Sequence, residues 1–134
     1  MSQHHDALIY TMVLVSAADR EMTDSELRRM GQLVTILPVF RDFNIDDLPS
    51  SSQDCAAILS DEEGLDKVLG LISDGLPPKL RETAYAVACD IAAADGKVGQ
   101  EEARILELLR HHTGVDRLAA AAIERGARAR HTTI

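Results

Sequence analysis

The chain opens on a predominantly apolar stretch, DALIYTMVLVSAA, between His5 and Ala18. Its length favours a buried helix over a strand at TMVLV. A short acidic link, Asp19 to Met22, leads into Thr23-Asp24-Ser25-Glu26, which has the spacing of a capping box. Thr23 is expected to accept from the Glu26 N–H while Glu26 reaches back, with Met22 and Leu27 at the staple positions. Leu27, Met30, Leu33, Val34 and Leu37 then recur at helical spacing until Pro38 ends the run. From Val39 to Ser52 the pattern is irregular, and Pro49 with three serines predicts a break before a short helix over Gln53 to Leu59. Ser60-Asp61-Glu62-Glu63 reads as a second capping box, opening a helix through Leu65, Val68, Leu69 and Ile72 with Gly75 at its C′ position.

Pro77-Pro78 starts the second half, because proline suits a first helical turn. The apolar face of LRETAYAVACDIAAA predicts a helix as far as Ala94. Asp95-Gly96-Lys97-Val98 is a turn, and Gly99 takes the N-cap place of a helix lined by Ala103, Leu106 and Leu109. Thr113-Gly114 closes that helix and Asp116 caps the last one, RLAAAAIERGARAR. About seven helices follow from this pattern, and no long stretch alternates as a strand does.

The two halves are related. Laid on one another, Ser16-Ala17-Ala18-Asp19 falls on Ala92-Ala93-Ala94-Asp95, Met22 on Val98, Glu26 on Glu102, Met30 on Leu106 and Leu33 on Leu109. The expectation is one all-α domain over 1–134, with pseudo-symmetric hairpins over about 5–37 and 78–112 sharing a core. A length of 134 residues suits one domain, and 46% hydrophobic residues exclude disorder by composition. With only 3% aromatics, the core is mostly Ala, Leu, Ile and Val, which favours close helix packing.

A net charge of −8 argues against nucleic acid as a partner and against spontaneous docking on an anionic membrane, and leaves cations or basic partners open. Cys55 and Cys89 belong to no ligand cluster and read as buried free thiols of a reducing compartment. No basic leader region and no membrane-spanning apolar run is present, so a cytoplasmic location is expected. No motif specifies an oligomeric state.

Chemistry concentrates at one corner. Asp90 lies in the last turns of one helix, Asp95 just past its end, and Glu102 in the first turn of the next. Carboxylates beside a helix C-terminus are electrostatically unfavourable unless a cation reverses the sign, and oxygen ligands suit a hard ion such as Ca²⁺ or Mg²⁺. A structural reading stands beside this one: Asp95-Gly96 as a plain turn, Glu102 as a helix-start carboxylate, Asp90 solvated or paired with a nearby cation. A standard EF-hand is excluded, because Ile91 and Ala93 stand where its first acidic ligands belong. In the first half Asp19 and Glu26 form a weaker counterpart, with Leu14 in the place of Asp90 and Arg20 in that of Gly96.

The motif Asp90-x-x-x-x-Asp95-Gly96-x-Val98-x-x-x-Glu102, preceded by a degenerate Ala18-Asp19…Glu26 copy, resembles the TerB family of tellurite-resistance proteins over most of the chain. The resemblance implies an all-helical fold, no catalytic activity, and metal-binding acidic residues at Asp90, Asp95 and Glu102, with Asp19 and Glu26 in the first half. It also implies a role in tellurite resistance or stress response through protein partners at the cytoplasmic side of a membrane. Leu14 and Arg20 depart from the family pattern.

Other residues add little. His4-His5 and His111-His112 are adjacent pairs, which diverge around a helix and chelate poorly. Nothing marks an activated nucleophile or a phosphate loop, so no enzyme is expected. Arg117, Arg125, Arg128 and Arg130 read as a solvated face of the last helix.

Overall fold

The computed structural model describes residues 3–18, 23–94, 96 and 98–134. Among these it contains seven α-helices and no strand: α1 (Gln3–Ser16), α2 (Asp24–Ile36), α3 (Leu48–Leu59), α4 (Gly64–Gly75), α5 (Arg81–Ala92), α6 (Gln100–Thr113) and α7 (Arg117–Arg130). Three single 3₁₀ turns, Pro38–Phe40, Ile45–Asp47 and Pro78–Leu80, join them. The expected all-α fold is what forms.

α1 is apolar nearly all round, and a helix of that kind must be surrounded. Leu8, Ile9, Met12, Val13 and Val15 are fully or almost fully buried, and α3, α4, α5 and α6 all pack against α1. Two of its buried polar residues have backbone partners. Thr11 Oγ1 donates to Ala7 O at 2.7 Å, and His5 Nε2 lies 2.8 Å from Val39 O with its ring stacked on Phe40. His5 is therefore a core histidine. α5 is the second hub, packing against α1, α2, α6 and α7. Tyr85, Cys89, Val115, Ala120 and Ala127 form a small satellite core on its α7 side.

Helix ends follow local chemistry where only the chain itself is involved. Thr23 caps α2 in a full capping box, Asp116 Oδ2 accepts from Leu118 N and Ala119 N at the start of α7, and Gly114 ends α6 at φ 71°. Three expectations are corrected. Pro49 does not break the chain but sits in the first turn of α3, which begins at Leu48, because its fixed φ and missing N–H suit that place. Ser60 forms no capping box: it ends α3, its hydroxyl bonding Ala57 O, and Glu63 stands before α4 at φ 61°. Gly75 is the last residue of α4 rather than a left-handed C′ residue, and a Cβ there would lie 3.0 Å from Ala7 Cβ. Its value is the close approach of α1 and α4.

Candidate functional site

The candidate corner is built by the return from α5 to α6. α5 closes with Ala94 N donating to Ile91 O at 3.1 Å, and Gly96 N donates to Ala93 O at 2.9 Å. Gly96 adopts φ 82°, the left-handed conformation that glycine reaches without a Cβ penalty. Gly99 then takes extended backbone as N-cap of α6, which puts Glu102 at the third helical position. There Glu102 is 6% exposed, and its Oε1 accepts the Gly99 N–H at 3.3 Å.

Asp90 is turned toward another element. Its Oδ1 accepts from Arg130 Nη2 at 2.7 Å and lies 3.3 Å from His131 Nε2, both at the end of α7. The Asp90 and His131 side chains are largely enclosed, at 14% and 11% exposure, whereas Arg130 stays 56% exposed. Arg130 is thus one arginine of the expected solvated face that has an acid partner. Asp95 lies outside the described residues. Among the described residues no group of three or more His, Cys, Asp or Glu side chains is arranged to hold a metal ion.

In the first half, Asp19 also lies outside the described residues. Glu26 is 1% exposed and its Oε1 accepts from Thr23 N at 3.0 Å and from Thr23 Oγ1 at 3.2 Å. The Ser16 hydroxyl, at the end of α1, is buried and has no hydrogen-bond partner among the described residues.

A family model described as "Tellurite resistance protein TerB" matches residues 5–125. The chain belongs to the TerB family. The match to this TerB-family chain runs from α1 into α7. Searches among curated proteins and among solved structures each returned no match.

Two side chains of this TerB domain escaped the reading of its sequence. The Tyr85 hydroxyl donates to Glu124 Oε2, joining α5 to α7, and burial with that bond raises the Tyr85 pKa. Cys89 lies one turn further along α5, where burial pushes its thiol up to about 12. Neither partner was legible, because Glu124 follows Tyr85 by 39 positions and no spacing rule reaches that far. Among the described residues, no helix of the TerB domain is long and apolar enough to cross a membrane.

Proposed function

We propose that this TerB-family chain is a non-enzymatic, cytoplasmic protein of tellurite resistance or stress response. In this reading it binds a divalent cation at the α5–α6 corner and presents its helices to protein partners. The ligands are Asp90, Asp95 and Glu102, and a hard ion such as Ca²⁺ or Mg²⁺ fits their oxygen donors. The observation that carries the reading is the burial of Glu102, a carboxylate kept 6% exposed in the first turn after the bend. Withdrawing a carboxylate from water is costly, and a cation offsets that cost together with the unfavourable dipole at the end of α5. Glu26 supports a weaker second position with Asp19.

Support for a non-enzymatic role comes from the cysteines. Burial pushes both Cys55 and Cys89 up to about 12, so each stays a protonated thiol at neutral pH, a form without nucleophilic strength.

A metal-free interaction module is the second reading, and the pairing of Asp90 with Arg130 and His131 favours it. An Asp90 already bonded by the Arg130 guanidinium has less need of a metal. Calorimetric titration with Ca²⁺, Mg²⁺, Mn²⁺ and Zn²⁺ decides between them. Saturable heat with the wild type, lost in Asp95→Asn, supports the metal site. No heat and no thermal stabilisation with any of the four ions leaves the module alone.

A further inference from the structure

α6 and α7 each pack against α5, and a half-open cleft of about 880 Å³ lies between the three. Its volume falls within the range of small-molecule sites, about 300–1,000 Å³. The cleft exists because the residues beneath it are small: Cys89 on α5, Ala93 just past its end, Ala103 on α6 and Ala127 on α7, with Leu106 adding apolar surface. Tyr85 bonds Glu124, and Asp90 bonds Arg130, so α5 and α7 advance side by side in the same direction. The cleft therefore runs along both helices, from Tyr85 at one end to the close of α7 at the other.

Its charged lining is unevenly matched. Glu124 receives the Tyr85 hydroxyl, and Glu107 is held by Arg110 at 2.8 Å with His111 at 3.6 Å. His131 faces Asp90. Arg128 lines the cleft and makes no ion pair among the described residues. A cleft with small apolar residues on its floor, polar residues on its walls and a guanidinium without an acid partner towards one end suits an amphipathic anion. Carboxylate and sulfonate groups meet guanidinium through two parallel hydrogen bonds, and small side chains leave room for a hydrocarbon body.

We infer that the α5/α6/α7 cleft binds a small amphipathic organic anion, its apolar body over Cys89, Ala93 and Ala127 and its anionic head on Arg128. The cleft borders the proposed cation corner, whose Ala94, Gly96 and Val98 help to line it, but the anion's head sits on α7 and needs no bound cation.

The test is a fluorescence titration of the full chain with the anionic dye anilinonaphthalene sulfonate, followed by displacement with decanoate. One saturable site is expected, with the dye released by decanoate. Arg128→Gln weakens binding about tenfold, the loss of one charge-assisted contact. Ala103→Trp, at an exposed position on the cleft wall, removes binding by filling the space, while circular dichroism confirms an unchanged helix content. The neutral analogue phenylnaphthylamine binds more weakly than the sulfonate. The proposal is overturned by the absence of saturable dye binding, by wild-type affinity in either variant, by failure of decanoate to compete, or by equal affinity for the neutral dye.

Discussion

Glu26 and Glu102 stand in the same relation to their helices. Each is the third residue of its helix, each is buried, and each Oε1 accepts the N–H of its own N-cap residue, at 3.0 Å from Thr23 and 3.3 Å from Gly99. The N-caps differ. Thr23 returns a hydroxyl to Glu26 N at 3.1 Å, whereas Gly99 has no side chain with which to answer Glu102. The carboxylate-to-amide bond is thus present at the start of both helices, with the reciprocal half present at α2 alone.

That difference is measurable. Thr23→Ala removes one side of the box and is expected to lower stability by about 1 kcal/mol in urea unfolding. Gly99→Ser, which supplies the missing hydroxyl on extended backbone, is expected to raise it by a few tenths of a kcal/mol. Glu26→Gln keeps an oxygen acceptor for the Thr23 amide and should cost less than Glu26→Ala. Equal losses in the two Glu26 variants would show that the charge matters and the cap bond does not.

Gly64 makes the second prediction. A Cβ there would lie 2.3 Å from Ile58 O and 2.7 Å from Leu59 O, both backbone atoms of α3 that have no rotamer to yield. Gly64→Ala is expected to destabilise by roughly 2–3 kcal/mol, a size reached by overpacking at a tight contact. Gly31, within α2, has nothing within 4 Å of such a Cβ. Gly31→Ala should instead stabilise by about 0.5–1 kcal/mol through the better helix propensity of alanine. Denaturant midpoints of the two variants should move in opposite directions.

The same contact explains where the sequence could and could not be read. The caps at Thr23, Asp116 and Gly114 were legible because the deciding atoms lie within four residues of one another. Ser60-Asp61-Glu62-Glu63 carries an equally good pattern, yet the tight return of α4 onto the carbonyls of Ile58 and Leu59 places Glu63 at φ 61° and excludes the box. A tertiary approach overrode a local signal. At the acidic corner, spacing correctly put Glu102 in the first turn of α6 and Asp90 near the end of α5. It gave no hint that the partners of Asp90, Arg130 and His131, come from the end of α7, because that pairing depends on how α7 docks and not on the period of either helix.

Burial of the thiols predicts a dependence on alkaline pH. Cys55 and Cys89 are each pushed up to about 12 by burial, from an ordinary value of 9.0. Between those values the unfolded chain has lost protons that the folded chain keeps. The stability these thiols contribute is therefore complete below pH 9.0 and is lost as pH rises toward about 12. The slope approaches about 1.4 kcal/mol per pH unit for each thiol. Tyr85, whose pKa burial also raises, adds to the decline in the same direction. Cys89→Ala should flatten the alkaline limb of the unfolding curve, and a thiol reagent at pH 8 should label Cys55, which is fully buried in the main core, only as fast as the chain opens. Rapid labelling of Cys55 in native protein would refute the closed packing of α3 against α1 and α4.

Asp90 holds the end of α7, and its removal separates a structural from a ligand role. Asp90→Asn weakens the contact with Arg130 at 2.7 Å and His131 at 3.3 Å. Because Arg130 remains largely exposed, solvent screens the pair, and the loss of global stability is expected to stay within about 1 kcal/mol. The local effect should be larger. Amide exchange at the C-terminal turn of α7 should accelerate in Asp90→Asn, while the first turn, capped by Asp116, stays protected. High salt should speed exchange at the same amides in the wild type by screening the same charges. If the α7 end exchanges equally fast with and without the Asp90 charge, the ion pair does not secure it. In that case the Tyr85–Glu124 bond and the buried contacts of Ala120 and Ala127 dock the helix.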